Sequence, residues 1–180
     1  MTICIALIRG INVGGSHNLP MPQLRNLLER VGCKDVQTYV QSGNAVFRST
    51  QDANVLSSSI KTAINEQFGF APAVCLLTFE DYESIVAANP YPDAVDTPKY
   101  LHVWFLMGAA DNPDLDTLES LRSSSERYEL LSNAFYLHAP DGIGRSKLAA
   151  KVDKCLGVET TARNWRTVTK LAALAESIIN

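Results

Sequence analysis

The sequence predicts an α+β protein made of two tandem ferredoxin-like subdomains with antiparallel sheets and a C-terminal helix. Three observations predict it. Stretches of alternating and of helical periodicity follow one another in the order β-α-β-β-α-β. The same order recurs in the second half of the chain. The two central hairpins also rhyme, VQSGNAVF at 40–47 and LLSNAFY at 130–136.

The elements run as follows. TICIALIRG is a strand; its apolar run is short and has no basic leader, so it reads as a buried strand rather than a signal peptide. In MPQLRNLLERVG, Leu24, Leu27, Leu28 and Val31 recur at helical spacing, Pro22 sits near the start and Gly32 is a stop. VQTYV and AVFRS are strands joined by the turn QSGN. NVLSSSIKTAINEQFG is a second helix, with Val55, Ile60, Ile64 and Phe68 expected inside and Gly69 ending it. AVCLLTF closes the first unit as a strand. After the short helix EDYESIVAANP come the strand KYLHVWFLM, the helix PDLDTLESLR and the strands RYELL and AFYLHAP. RSKLAAKVDKCLG is a helix, VETTA a short extended piece and NWRTVTKLAALAESII the closing helix. Three prolines and two aspartates in NPYPDAVDTP place the boundary there, giving subdomains at 1–88 and 89–180.

The chain has 180 residues, 46% of them hydrophobic, and a net charge of −3. No apolar run approaches the roughly 18 residues of a membrane span. Cysteines 4, 33, 75 and 155 are scattered, without a C-x-x-C pair, and read as reduced thiols in a cytoplasmic protein. Charge is segregated: +2 over 1–79, −8 over 80–129 and +3 over 130–180. A uniformly basic nucleic-acid binder is excluded, whereas one local basic patch is not.

Three stretches carry polar and cationic residues where a ligand would meet them. In RGINVGG, Gly10 and Gly15 have P-loop spacing, but Ser16 and His17 follow where lysine is required, and the helix begins later. Arg9, Asn12, Gly14 and Gly15 remain as a possible anion-binding turn, against the plain reading that the glycines only turn the chain. In DGIGRSKL, Arg145, Ser146 and Lys147 are expected in the first turn of a helix, where cations oppose the helix dipole unless an anion joins them. The competing reading pairs them with Asp141. Lys147, Lys151 and Lys154 continue as a basic stripe. In ETTARNWRTVTK, Thr160 or Thr161 is the expected N-cap, Arg163, Asn164 and Arg166 crowd the first turn, and Trp165 is expected to pack inward. His17, His102 and His138 are scattered, so no metal and no cofactor is expected. Tyr39, Phe47, Phe135 and Tyr136 lie on strands, but without an RNP-like pattern.

ALIRGINVGG, YVQSGNAVF, GIGRSKL and TARNWRTVTKLAAL, in this order, closely resemble DUF1697, a bacterial family of unknown function. The resemblance spans the chain. The family's usual last motif reads Arg-Asn-Trp-Asn-Thr-Val, and Arg166 stands at its second asparagine. The resemblance implies a two-subdomain α+β protein and no assigned activity.

The resulting expectation is a cytoplasmic protein binding an anionic ligand: a phosphorylated small molecule, a nucleotide or a nucleic acid. Arg9, Asn12, Arg145, Lys147, Arg163 and Asn164 would converge in a cleft between the subdomains. Two readings compete with it: an enzyme acting on a phosphorylated substrate, and an assembly protein using the same basic loops at an interface. No membrane partner is expected, and the sequence leaves the oligomeric state open.

Overall fold

The computed structural model describes residues 1–179. It is an α+β structure with two four-stranded antiparallel sheets and six helices. The chain divides into two compact units, Met1–Ser84 with the chain from Lys170 onward, and Ile85–Thr169. The division falls four residues before the expected 88/89 boundary, and much of the closing helix groups with the first unit.

In the first unit, β1 (Thr2–Ile8) leads to α1 (Met21–Arg30), β2 (Lys34–Tyr39), β3 (Asn44–Ser49), α2 (Ala53–Phe68) and β4 (Val74–Thr78), and α3 (Phe79–Ala87) runs across the division after Ser84. The strand order is β2-β3-β1-β4. Alternation along β1 sends Cys4, Ala6 and Ile8 into a core with Leu24, Leu27 and Leu28 of α1 and Leu56, Ile60 and Ile64 of α2. Asp52 caps α2 by accepting from the amides of Asn54 and Val55, and Gly69 ends it in the left-handed conformation. Val55 is 57% exposed, contrary to expectation; Leu56 takes its place inside. The helix turns 100° per residue, so a stripe that runs 56, 60, 64 leaves residue 55 outside.

In the second unit, β5 (Leu101–Leu106) leads to α4 (Leu115–Leu121), β6 (Arg127–Leu130), β7 (Ala134–His138), α5 (Val152–Leu156) and β8 (Thr160–Asn164), and α6 (Trp165–Ser177) follows. The strand order, β6-β7-β5-β8, matches that of the first unit position for position. Trp104 and Leu106 pack with Phe135, Leu137, Leu118, Leu148 and Val152. On the other face the Tyr136 hydroxyl donates to the carbonyl of Ile85 at 2.6 Å. Phe47, Phe135 and Tyr136 are fully buried, so these sheet aromatics cannot stack on bases.

All four cysteines are buried, and none forms a disulfide. Burial, reinforced by Cys4, pushes the Cys33 thiol up to about 12. A thiol held protonated is a poor nucleophile. Among the described residues no helix is long and apolar enough to cross a membrane.

Candidate functional site

The glycine-rich loop leaves the end of β1. Val13 and Ser16 close a tight turn, with the Ser16 amide donating to the Val13 carbonyl at 3.2 Å. Gly14 and Gly15 have φ of +61° and +78°, the positive values both central residues of a type I′ turn require. A methyl group on either would meet nothing within 4 Å, so the glycines serve the backbone angle and not a close approach.

Asn12 organises this loop. Its Nδ2 donates to the carbonyls of Leu19 at 2.9 Å and Gln41 at 2.7 Å. Its Oδ1 accepts from the Leu19 amide at 2.7 Å. Both amide protons are therefore taken by the protein. Asn12 itself sits at φ +56°, a conformation asparagine tolerates better than most residues. His17 stacks on Phe70 with centroids 4.6 Å apart and holds the loop's far side. Arg9 is half-buried at the strand end, its amide donating to the Ala73 carbonyl at 2.9 Å.

The turn that receives Asn12 is itself under constraint. Val40 has φ +49°, a rare conformation for a β-branched side chain. At Gly43, φ is +78° and an added Cβ would lie 2.8 Å from Ile11 Cδ1 and 2.9 Å from Ile8 Cβ. Asn44 is fully buried, and its Nδ2 donates to the Tyr39 carbonyl and the Ser42 hydroxyl. The sequence carries little that marks these residues. The signal was the Gly-Asn pair itself, which reads equally well as any hairpin turn.

The two C-terminal stretches differ from expectation in local structure. Ile143–Arg145 is a 3-10 turn, Ala149–Lys151 another, and α5 begins only at Val152. Arg145, Ser146 and Lys147 therefore precede the helix rather than occupying its first turn. The Ser146 hydroxyl accepts from the Ala149 amide, which turns the chain before an α-helix can start. Likewise Thr160, Thr161 and Arg163 lie in β8, not at a helix start. The cap is Asn164, whose Oδ1 accepts from the Thr167 amide at 3.0 Å. β8 pairs along β5 through Asn164, and that pairing delays the helix. Trp165 packs inward, 6% exposed.

The cations fall into two groups. Arg163 is buried, with Nη1 donating to the Thr161 hydroxyl and the Ala162 carbonyl, each at 2.8 Å. Arg145, Lys147, Lys151, Lys154 and Arg166 are exposed. Asp141 does not pair with Arg145; it accepts from the Ser125 hydroxyl at 2.6 Å. Asp153 accepts from the Thr160 hydroxyl. Arg48, Arg122 and Arg127, by contrast, each meet an Asp or Glu.

Topology brings two of the stretches to one end of the second sheet. β7 and β8 flank β5 and both run antiparallel to it. His138 pairs with Leu101 and Asn164 with His102, so both strands end beside the start of β5. The chain therefore leaves β7 toward DGIGRSKL and β8 toward α6 at the same end of that sheet, the two strand ends lying two strand spacings or roughly 10 Å apart.

These features define an α+β protein of two similarly wound units, with an exposed basic segment at one sheet end. Among the described residues no cluster of three or more His, Cys, Asp or Glu is arranged to hold a metal. The chain belongs to the DUF1697 family of proteins of unknown function, whose model matches residues 1–136. That span includes RGINVGG and QSGN and stops short of GRSKL and RNWR. The conserved bacterial protein SP0830 from Streptococcus pneumoniae has a similar fold, with a TM-score of 0.72 and 24% identity over 97% of this chain and 98% of that one. No curated protein matches the sequence.

Proposed function

We propose that this chain is a cytoplasmic protein with two ferredoxin-like units, and that it binds an anionic ligand through Arg145, Ser146 and Lys147. The ferredoxin-like reading is supported by the β-α-β-β-α-β order with edge strands β2 and β6 beside the third strand of each unit. The anion reading is carried by one observation: Arg145 and Lys147 are exposed, and the carboxylate expected to neutralise them is hydrogen-bonded to Ser125 instead. Arg166, two residues after the end of β8, adds to the positive field at the same end of the sheet. Phosphate esters fit this chemistry best, because Arg and Lys together supply a directional fork and a mobile point charge.

The test is titration with three probes, pyrophosphate, ATP and a single-stranded oligonucleotide, at low and moderate salt. Binding should weaken as salt rises. Arg145→Ala should cost about 1.5–3 kcal/mol of affinity, the range for a hydrogen bond to a charged group. Equal binding by wild type and Arg145→Ala, or no binding of any probe, would reject the proposal.

A further inference from the structure

We propose that the free edge of β6 is a docking site for an extended peptide of alternating apolar and basic residues. This site is separate from the basic segment above.

β6 is the outer strand of the second sheet. Its four pairs with β7, Arg127 to His138 through Leu130 to Phe135, run without a register shift. The corresponding edge in the first unit, β2, is irregular: its ladder is broken between Lys34 and Gln37, and Asp35 sits at φ +52°. Bulges and kinks of that kind blunt an edge against added strands. β6 lacks them.

The hairpin fixes which backbone groups of β6 face outward. The Leu131 amide donates to the Ala134 carbonyl at 2.9 Å, so residue 131 points toward β7. Hydrogen-bonded and non-hydrogen-bonded pairs alternate along an antiparallel ladder. Glu129 and Arg127 therefore also point inward, and the N–H and C=O groups of Tyr128 and Leu130 point out from the edge. An incoming strand would find four backbone partners there.

The edge opens into a groove of about 510 Å³. Tyr91 lines it along with Arg127 and Glu129, and Leu115 of α4 along with Tyr128 and Leu130. Alternation places Arg127 and Glu129 on one face of the strand and Tyr128 and Leu130 on the other. An added strand would alternate in the same way. Its residues on the helix side would meet Leu115, which is 39% exposed, and Leu130. Its residues on the other side would meet Glu129.

Charge selects those residues. Arg127 is neutralised: Nη2 lies 2.7 Å from Asp93 Oδ2, and its guanidinium stacks 4.7 Å above the Tyr91 ring. Arg122 is likewise held by Glu119 at 2.7 Å. Glu129 is exposed and in no ion pair, so the net field along the groove is negative. Apolar residues toward Leu115 and basic residues toward Glu129 satisfy both walls. This is strand addition, in which main-chain bonds give affinity and alternate side chains give specificity.

The test uses a fluorescein-labelled, capped heptapeptide of alternating Lys and Val, followed by anisotropy against the full chain. Three controls accompany it: Glu in place of Lys, and two peptides N-methylated at one or the other alternate set of amides. Binding by the parent peptide, loss of at least tenfold on methylating one set, and loss of at least tenfold in Glu129→Lys are expected. Amide NMR shifts should centre on Tyr128 and Leu130. Equal binding by both methylated peptides would reduce the effect to bulk attraction for an acidic surface and overturn the proposal. Absence of parent-peptide binding would also overturn it, as would a stable β6-mediated dimer found by sedimentation, which would assign the edge to a second copy.

Discussion

The carboxamide of Asn12 lies 2.7 Å from the carbonyl oxygen of Gln41, tying the glycine-rich loop after β1 to the β2–β3 turn. The two stretches that stand out most in the N-terminal sequence are thus one structural unit. Its glycines and asparagines answer to backbone geometry before they answer to any ligand.

Asn12→Ala should therefore destabilise the first unit. The change removes three hydrogen bonds and leaves two carbonyls and the Leu19 amide without their partner. It also puts alanine at φ +56°. A loss of about 2–4 kcal/mol is expected, combining net hydrogen-bond values with the left-handed penalty. Urea denaturation with circular dichroism would read it. A change below 0.5 kcal/mol would show that the loop carries no stability.

The glycines separate two causes. At Gly14 an added methyl group meets open space, so Gly14→Ala should cost only the left-handed penalty, about 1–2 kcal/mol. At Gly43 the same methyl also collides with Ile8 and Ile11. Overpacking adds roughly 1–3 kcal/mol, so Gly43→Ala should be clearly the worse of the two. Comparing their thermal midpoints checks the order; similar losses would mean that the turn relaxes away from Ile11.

On α2, Val55→Lys should change stability by less than about 0.5 kcal/mol, because the side chain is exposed. Leu56→Ala should cost about 2–5 kcal/mol, because Leu56 is fully buried. Denaturant midpoints for the pair would verify the helix phase directly.

That helix shows what was legible in the sequence. Period and stop signals gave α2 its existence and its end at Gly69. They did not settle its phase at the N-terminus, where Val55 and Leu56 are both apolar and only Asp52's cap fixes the first turn. The same limit explains the C-terminal stretches. VETTA reads as extended, and β8 bears that out through Ala162, but Arg163 and Asn164 read as a first helical turn because Thr160 and Thr161 are also good caps, whereas β5 was available to pair as far as Asn164. The order of elements along the chain and the antiparallel hairpins were legible because alternation and turn residues are local. The bonds of Asn12 were not, because Gln41 lies 29 residues away and accepts through its backbone, which leaves no side-chain signature.

The last prediction concerns pH. His102 lies in β5, and burial pushes its imidazole down to about 4, with only the Tyr100 backbone acting the other way. In the unfolded chain the same ring titrates near 6.5. Between these values the unfolded state binds the proton and the folded state does not, so stability must fall as pH drops through this window. The loss should reach roughly 2–3 kcal/mol near pH 4. The carboxylates of Asp93, Asp114 and Glu119 are themselves held low by Arg127, Thr117 and Arg122, so their contributions are lost mainly at more acid pH. His138, lowered by burial and by Arg127, acts in the same direction as His102. His102→Gln should consequently flatten most, not all, of the stability slope between pH 6.5 and 4. Equilibrium unfolding of wild type and variant at half-unit steps would test it, and an unchanged slope would show that His102 is protonated inside the folded sheet.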